Sequence, residues 1–226
     1  MKPSLLKYLW SYVADVHIES MSSDYNETMH VLLSKGRYQL CTPNAIYSFA
    51  DKYDNFTATF QQLDLHTNTI SDILILGFGL GSIPYMLEKK FNKKYNYTGV
   101  EIDDTVTYLA SKYVLDDLTS EVQMIQADAW NYVQQADTRF DMICIDIFVD
   151  DRIPAPFLTE TFLENAASIL CDNGILLFNH LGRHATDTKA AMDYHDHIFN
   201  QLFPNSIALK VGDNYMMLND KAHLIK

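Results

Sequence analysis

The hydrophobic period of the chain changes once along its length. Over residues 16–48 apolar positions come in short compact or alternating runs, VHIES, HVLLS, RYQLC and AIYSF, with Ser-Ser-Asp, Lys-Gly and Thr-Pro-Asn between them. Such runs, punctuated by turn-forming residues, predict a small antiparallel β segment. Asp51 to Leu65 then carries Tyr53, Phe56, Phe60 and Leu63 at helical spacing. From Ile70 onward, strands are predicted over 72–77, 96–101, 121–126, 140–146 and 173–179. Helices are predicted over 82–91, 104–115, 128–135, 159–171 and 184–202. Regular alternation of this kind predicts an α/β domain whose mostly parallel sheet is covered on both faces. The tail IALKVGDNYMMLN departs from it, because two apolar runs meet at Gly212-Asp213-Asn214, the chemistry of a hairpin turn. The division expected is residues 1–50, a β segment with a short helical start, and residues 51–226, the α/β domain.

Composition narrows the functional classes. With 226 residues and 48% hydrophobic content, the chain can bury a sizeable core. Lys+Arg number 17 and Asp+Glu 29, a net charge of −12. That surface repels phosphate backbones, so no nucleic-acid partner is expected, and it suits a cationic or neutral small molecule. Cys41, Cys144 and Cys171 show no metal-ligand spacing and are expected to be buried free thiols. No metal site is expected from the histidines either, since His195 and His197 fall on different faces of their helix. The N-terminal stretch has no signal-peptide pattern and no run approaches 18 apolar residues, so a cytoplasmic protein without a membrane partner is expected.

The chemistry is concentrated at the ends of the predicted strands. The run ILIL closes on Gly77, Gly79 and Gly81, and Glu101 ends the next strand twenty residues past Gly81. A glycine turn lets the backbone bend tightly before a helix N-terminus, and an acid at the next strand tip can accept both hydroxyls of a ribose. Asp128 follows the third strand and Asp146 the fourth, so four strand ends present glycine, Glu, Asp and Asp in order. In a parallel sheet, ligands bind outside these ends. Gly77 to Gly81 would accommodate a nucleoside cofactor's amino-acid tail and ribose. Asp128 would accept from an adenine amine with the Ala129 N–H beside it, and Ile102 and Trp130 would sandwich the base. Asp146 would sit over the transfer centre. Plainer roles are open to the same residues: Asp128 can cap the following helix, Trp130 can be core, Asp146 can cap a loop, and Asp150 with Asp151 can be a solvated acidic turn. His180, after the fifth strand, is a further candidate.

Together, ILILGFGLGS, TGVEID, QADAWNYV and FDMICIDIF resemble the Rossmann-like S-adenosylmethionine-dependent methyltransferase superfamily, and more narrowly the spermidine synthase group. The segment IDIFVDDRIPAPFLTETFL is similar to that group's catalytic loop, and GRYQLC…AIYSFADKYDNF to its N-terminal β segment. The resemblance spans roughly residues 30–180. It implies S-adenosylmethionine or its decarboxylated form as cofactor, cofactor contacts at Gly77, Gly79, Glu101 and Asp128, and Gln39 and Tyr47 as ligand contacts. It also implies that Asp146 deprotonates an attacking amine. Two positions depart from the group: the Asp of its glycine loop is Leu80 here, and the second acid of its catalytic loop is Val149, with Asp150 next to it. A leucine cannot anchor an aminopropyl ammonium. The expected function is therefore methyl transfer to a small acceptor, an amine among the candidates, with Tyr47, Phe148 and the loop from Asp150 to Pro154 lining the acceptor pocket. Aminopropyl transfer for polyamine synthesis is the alternative, and a non-catalytic adenosyl-ligand-binding protein the third reading. A homodimer through the N-terminal β segment is a further possibility.

Overall fold

The computed structural model describes residues 3–66 and 70–225. A short helix α1 (Leu5–Trp10) precedes four strands, β1 (Val16–Met21), β2 (Met29–Ser34), β3 (Arg37–Cys41) and β4 (Ile46–Ser48). These form one antiparallel sheet in the order β1-β2-β3-β4. Met29, Val31 and Leu40 turn from it into a core shared with the following domain.

The expected helix over 51–65 is shorter than its apolar spacing suggested. A 3-10 turn (Ala50–Lys52) leads into α2 (Asp54–Phe60), which ends at Gln61. Leu63 leaves the helix and forms a bridge with Leu224 instead. Its helical spacing reflects burial of the side chain, which two different backbones can provide.

The second sheet has seven strands: β5 (Asp72–Leu76), β6 (Asn96–Glu101), β7 (Val122–Gln126), β8 (Phe140–Ile145), β9 (Leu170–Leu181), β10 (Ile207–Val211) and β11 (Asn214–Leu218). Their order is β10-β11-β9-β8-β5-β6-β7. The five strands β5 to β9 run parallel, and the terminal hairpin is antiparallel, as its turn sequence required. The helices α3 (Ser82–Lys89), α4 (Asp104–Tyr113), α5 (Ala129–Gln135), α6 (Glu160–Ser168) and α7 (Ala185–Tyr194) connect them. After α7 the helix runs on through a π-type stretch (His195–Phe199) to Leu202.

Leu74, Leu76, Ile143, Ile145, Leu176 and Phe178 pack on one face of the sheet, and Ile73, Ile75, Met142, Cys144, Ile175 and Leu177 on the other. Both faces are thus buried, which explains why these strands read as continuous apolar runs. The helix expected to reach residue 171 stops at Ser168. There the Ile169 carbonyl accepts from the Phe140 N–H at 2.8 Å, which moves the chain onto the β8 ladder. Of the three free cysteines only Cys144 is fully buried; Cys41 and Cys171 are half-buried, which corrects the expectation for those two.

Candidate functional site

The strand order reverses at β5: β6 and β7 lie on one side of it, β8 and β9 on the other. Ligand sites in open α/β sheets form at such a reversal. Here a cleft of about 950 Å³ opens over the strand ends. Gly77 and Gly79 after β5, Glu101 at the end of β6 with Ile102 next to it, Asp128 and Ala129 after β7, and Asp146 and Phe148 after β8 all line it.

Gly77 belongs to this site for a steric reason. Its φ is +84°, and a Cβ there would lie 2.2 Å from the Asp146 carbonyl oxygen. The Asp146 N–H donates to the Leu76 carbonyl at 2.8 Å. Only glycine lets the ends of β5 and β8 close together and bring Asp146 over the turn. Gly81 has a different task. It is the left-handed residue before α3, its space is taken by the Phe78 ring, and it does not line the cleft. The expectation of a ligand contact at Gly81 is therefore corrected.

Glu101 is held by the turn it faces. Its Oε2 accepts from the Gly79 N–H at 3.1 Å and its Oε1 from the Asp103 N–H at 3.2 Å. Burial nonetheless raises its pKa above the usual carboxylate range. Asp128 does cap α5: its Oδ1 accepts from the N–H groups of Trp130 (2.7 Å) and Asn131 (3.2 Å). Both cap bonds fall on one oxygen, and Asp128 also lines the cleft, so its two roles coexist. Trp130 likewise lines the cleft while stacking on Phe162, ring centres 5.8 Å apart.

Asp146 is the most perturbed acid. Burial pushes its pKa up to about 7, with Glu101 adding repulsion, and hydrogen bonds from Asn179 and Tyr53 oppose the rise. Asn179 Nδ2 donates to Asp146 Oδ1 at 2.8 Å, and the Tyr53 hydroxyl approaches the same oxygen at 3.4 Å. A carboxylate with a pKa near neutrality can take up or hold a proton at physiological pH.

The N-terminal sheet closes the mouth of the cleft. Asp103 caps α4 with Oδ1, while its Oδ2 accepts from Ser23 Oγ at 2.5 Å and Asn26 Nδ2 at 3.1 Å. The Tyr47 hydroxyl donates to Asn26 Oδ1 at 2.9 Å and accepts from the Asp150 N–H. Burial pushes the Tyr47 phenol up to about 12. Both Asp150 oxygens are taken, by Thr42 Oγ1 and Asn44 Nδ2, each at 2.6 Å. Those bonds hold its pKa below the usual value. Asp150 thus lines the cleft while its carboxylate is engaged by the β3–β4 turn.

Two other candidates fall away from the site. Gln39 is buried in β3 opposite Leu32, and the cleft is lined instead by Ala45 and by Ile46 and Tyr47 of the following strand. His180 shares a face of β9 with Phe178 and packs against Phe178 and Tyr194 at 4.4 and 4.7 Å. Burial lowers its pKa to about 3, so it is a neutral core residue. The functional neighbour is Asn179, one residue earlier and on the opposite face. The signal for it was present as a polar residue closing the apolar run LLF. Asn26 and Asn214, which also line the cleft, carried no comparable sequence signal. Among the described residues no cluster suited to a metal ion is found, and no helix is long and apolar enough to cross a membrane.

The chain is similar to known proteins in sequence and in fold. The chain is 30% identical over 110 residues to the polyamine aminopropyltransferase of Vibrio vulnificus, covering 47% of this chain and 36% of that protein. It is 26% identical over 132 residues to the mouse eEF1A lysine and N-terminal methyltransferase, covering 54% of this chain and 19% of that protein. The chain thus spans only about a third, or less, of these relatives' length. In fold it matches spermidine synthase from Thermotoga maritima with a TM-score of 0.67 at 18% identity, over 90% of this chain and 72% of that one. It also matches human methyltransferase-like protein 13 in complex with SAH, with a TM-score of 0.55 at 20% identity, over 70% of this chain and 75% of that one. The spermine/spermidine synthase domain model matches residues 59–211, well over half of the sequence, and the chain belongs to that family.

Proposed function

We propose that the chain is an S-adenosylmethionine-dependent methyltransferase acting on a small amine-bearing acceptor. The observation that carries this reading is the charge around the glycine turn. Leu80, where the resemblance places an ammonium-binding Asp, is 1% exposed and packed in the core. No carboxylate from the turn is therefore available to an aminopropyl group. Lys52 and Arg183 line the cleft, and among the described residues neither forms an ion pair. In a chain this acidic, cations left unpaired beside a ligand cleft suit a cofactor that keeps its α-carboxylate.

The cleft also fits the adenosyl part, with Glu101 at the ribose position and Asp128 and Ala129 beside Ile102 and Trp130 at the base position. When bound, the sulfonium supplies an already activated methyl group. The protein's share is to align the acceptor, exclude water, and receive the acceptor's proton at Asp146.

Parallel calorimetric titrations test this. S-adenosylmethionine should bind more tightly than its decarboxylated form, and Lys52→Met should remove most of the difference. Tighter binding of the decarboxylated form would establish the second reading, aminopropyl transfer, which the family membership favours. Binding of either cofactor with no turnover on any amine, phenol or carboxylate would leave a non-catalytic adenosyl-binding protein.

A further inference from the structure

We infer that Asn214, at the turn of the terminal hairpin, acts through Asn179 to keep Asp146 a proton acceptor. The pair is a positioning device that does not itself titrate. This rests on the reading of Asp146 as the group that faces the acceptor.

The sheet ladder sets the three side chains in a row. Ile145 pairs with Phe178 across the parallel β8–β9 ladder, so Asp146 and Asn179 are the next step of that register. Across the antiparallel β9–β11 ladder, Asn179 pairs with Met216 and Leu181 with Asn214. Asn179 and Asn214 are therefore diagonal neighbours on one face, within reach of each other. The three residues come from three adjacent strands and all line the cleft.

Hydrogen-bond chemistry gives the row a direction. An ionised carboxylate only accepts, so Asn179 presents Nδ2 to Asp146 at 2.8 Å. Its Oδ1 then faces Asn214, whose Nδ2 donates to it at 2.9 Å. Asn179 is 1% exposed with Asn214 in place, so its Oδ1 relies on that partner. Without Asn214 the Asn179 carbonyl is buried and unpaired, and the amide is released to turn over. Turned over, it offers Asp146 an oxygen, which an ionised carboxylate repels and a protonated one can bond. Loss of Asn214 therefore favours protonated Asp146, and loss of Asn179 favours it more.

The groups around Asp146 make a neutral device effective. Glu101 repels its charge from the β6 side, and the Tyr53 hydroxyl donates weakly from the loop before α2. The Cys144 thiol lies two residues back on β8, its pKa raised by burial and by Asp146. Tyr47, Lys52, Asp54, Arg183 and Asp213 line the same cleft from β4, the 3-10 turn, α2 and the β9 and β10 ends. An amide pair steadies the ionised form without adding charge to this field, and amides in series polarise one another.

The test is a carbon-13 carboxyl titration of Asp146 in the full chain, its resonance assigned with Asp146→Asn. Asn214→Leu should raise the midpoint by about one pH unit, a tenfold gain in proton affinity, and Asn179→Leu by more. Asn214→Ser keeps a donor hydroxyl; it should shift the midpoint less, and it serves if the leucine variant does not fold. An unchanged midpoint in the folded Asn214 variants would overturn the inference. The titration needs neither cofactor nor acceptor, so it stands or falls separately from the methyl-transfer reading. Retained turnover with an unmoved midpoint would sink the pair alone, and a moved midpoint without turnover would sink the reaction alone.

Discussion

At the scale of single residues, burial separates groups that the sequence presents alike. Asp146 and Asp150 sit four positions apart in one loop. One is raised to about 7 by burial, and the other is lowered by two short hydrogen bonds. For Asp146 the folded value exceeds the ordinary 3.8, so its contribution to stability is fully present below about pH 4 and lost as pH rises through 7. Asp146→Asn does not ionise and should escape that loss. Its stability relative to wild type should rise by about 2–3 kcal/mol between pH 5 and pH 8, measured by denaturant unfolding at both. An equal gap at the two pH values would mean that Asp146 is not buried as a charge. The same variant should bind cofactor normally and lose turnover by about 100-fold or more. Leu80 supports a different prediction. Restoring the resemblance with Leu80→Asp puts an unpaired charge into the core, costing about 3–5 kcal/mol, and should not create affinity for decarboxylated S-adenosylmethionine. A stable Leu80→Asp protein that gained such affinity would show that the loop can turn this position toward the cleft.

At the scale of elements, the strand tips are what the sequence made legible. Glu101, Asp128 and Asp146 were placed because an acid at the carboxyl end of a strand in a parallel sheet has one place to go. The hairpin at Gly212 was equally plain from its turn residues. Less legible were features set by partners distant in sequence. Nothing local distinguishes Leu63 as a bridge partner of Leu224, or assigns the carboxylate of Asp150 to a turn 106 to 108 residues earlier. The choice of His180 over Asn179 missed by one residue, which on a strand means the opposite face. Asp103 joins both kinds of information. Its capping of α4 is local, and its bonds to Ser23 and Asn26 join β6 to the loop before β2. Asp103→Ala should therefore cost more than a cap alone, about 2–4 kcal/mol. Combined with Ser23→Ala, the two losses should fall short of additive by at least about 0.5 kcal/mol in a denaturation cycle. Simple additivity would mean that this loop is held by something other than Asp103.

At the scale of the whole molecule, the two sheets act as one charged enclosure. Met29, Val31 and Leu40 of the first sheet share a core with Phe56, Tyr97 and Leu109 of the second unit. Glu19 also bonds Lys112 at 2.9 Å and Tyr113 at 2.6 Å across the junction. Among the described residues, the cleft between them is lined by eight Asp or Glu residues and by two cationic ones, Lys52 and Arg183. On a chain of net charge −12, a recess with that balance concentrates cations and repels anions. On the proposed function, an amine acceptor would arrive as an ammonium, feel this field over its whole approach, and give up a proton only at Asp146. The cofactor would differ, because its sulfonium and ammonium are partly offset by its carboxylate, and the proposed site would hold its adenosine by hydrogen bonds and ring contacts. Salt should therefore act unequally on the two ligands. Between 50 and 500 mM ionic strength the Debye length falls from about 14 to about 4 Å, which screens the approach field but not contacts within the cleft. The KM for an amine acceptor should rise several-fold over that range, while the Kd for S-adenosylmethionine changes less than twofold. If a neutral acceptor such as a phenol were turned over with a KM indifferent to salt, and amines were not, the acidic lining would belong to solubility and the choice of an amine as substrate would be wrong.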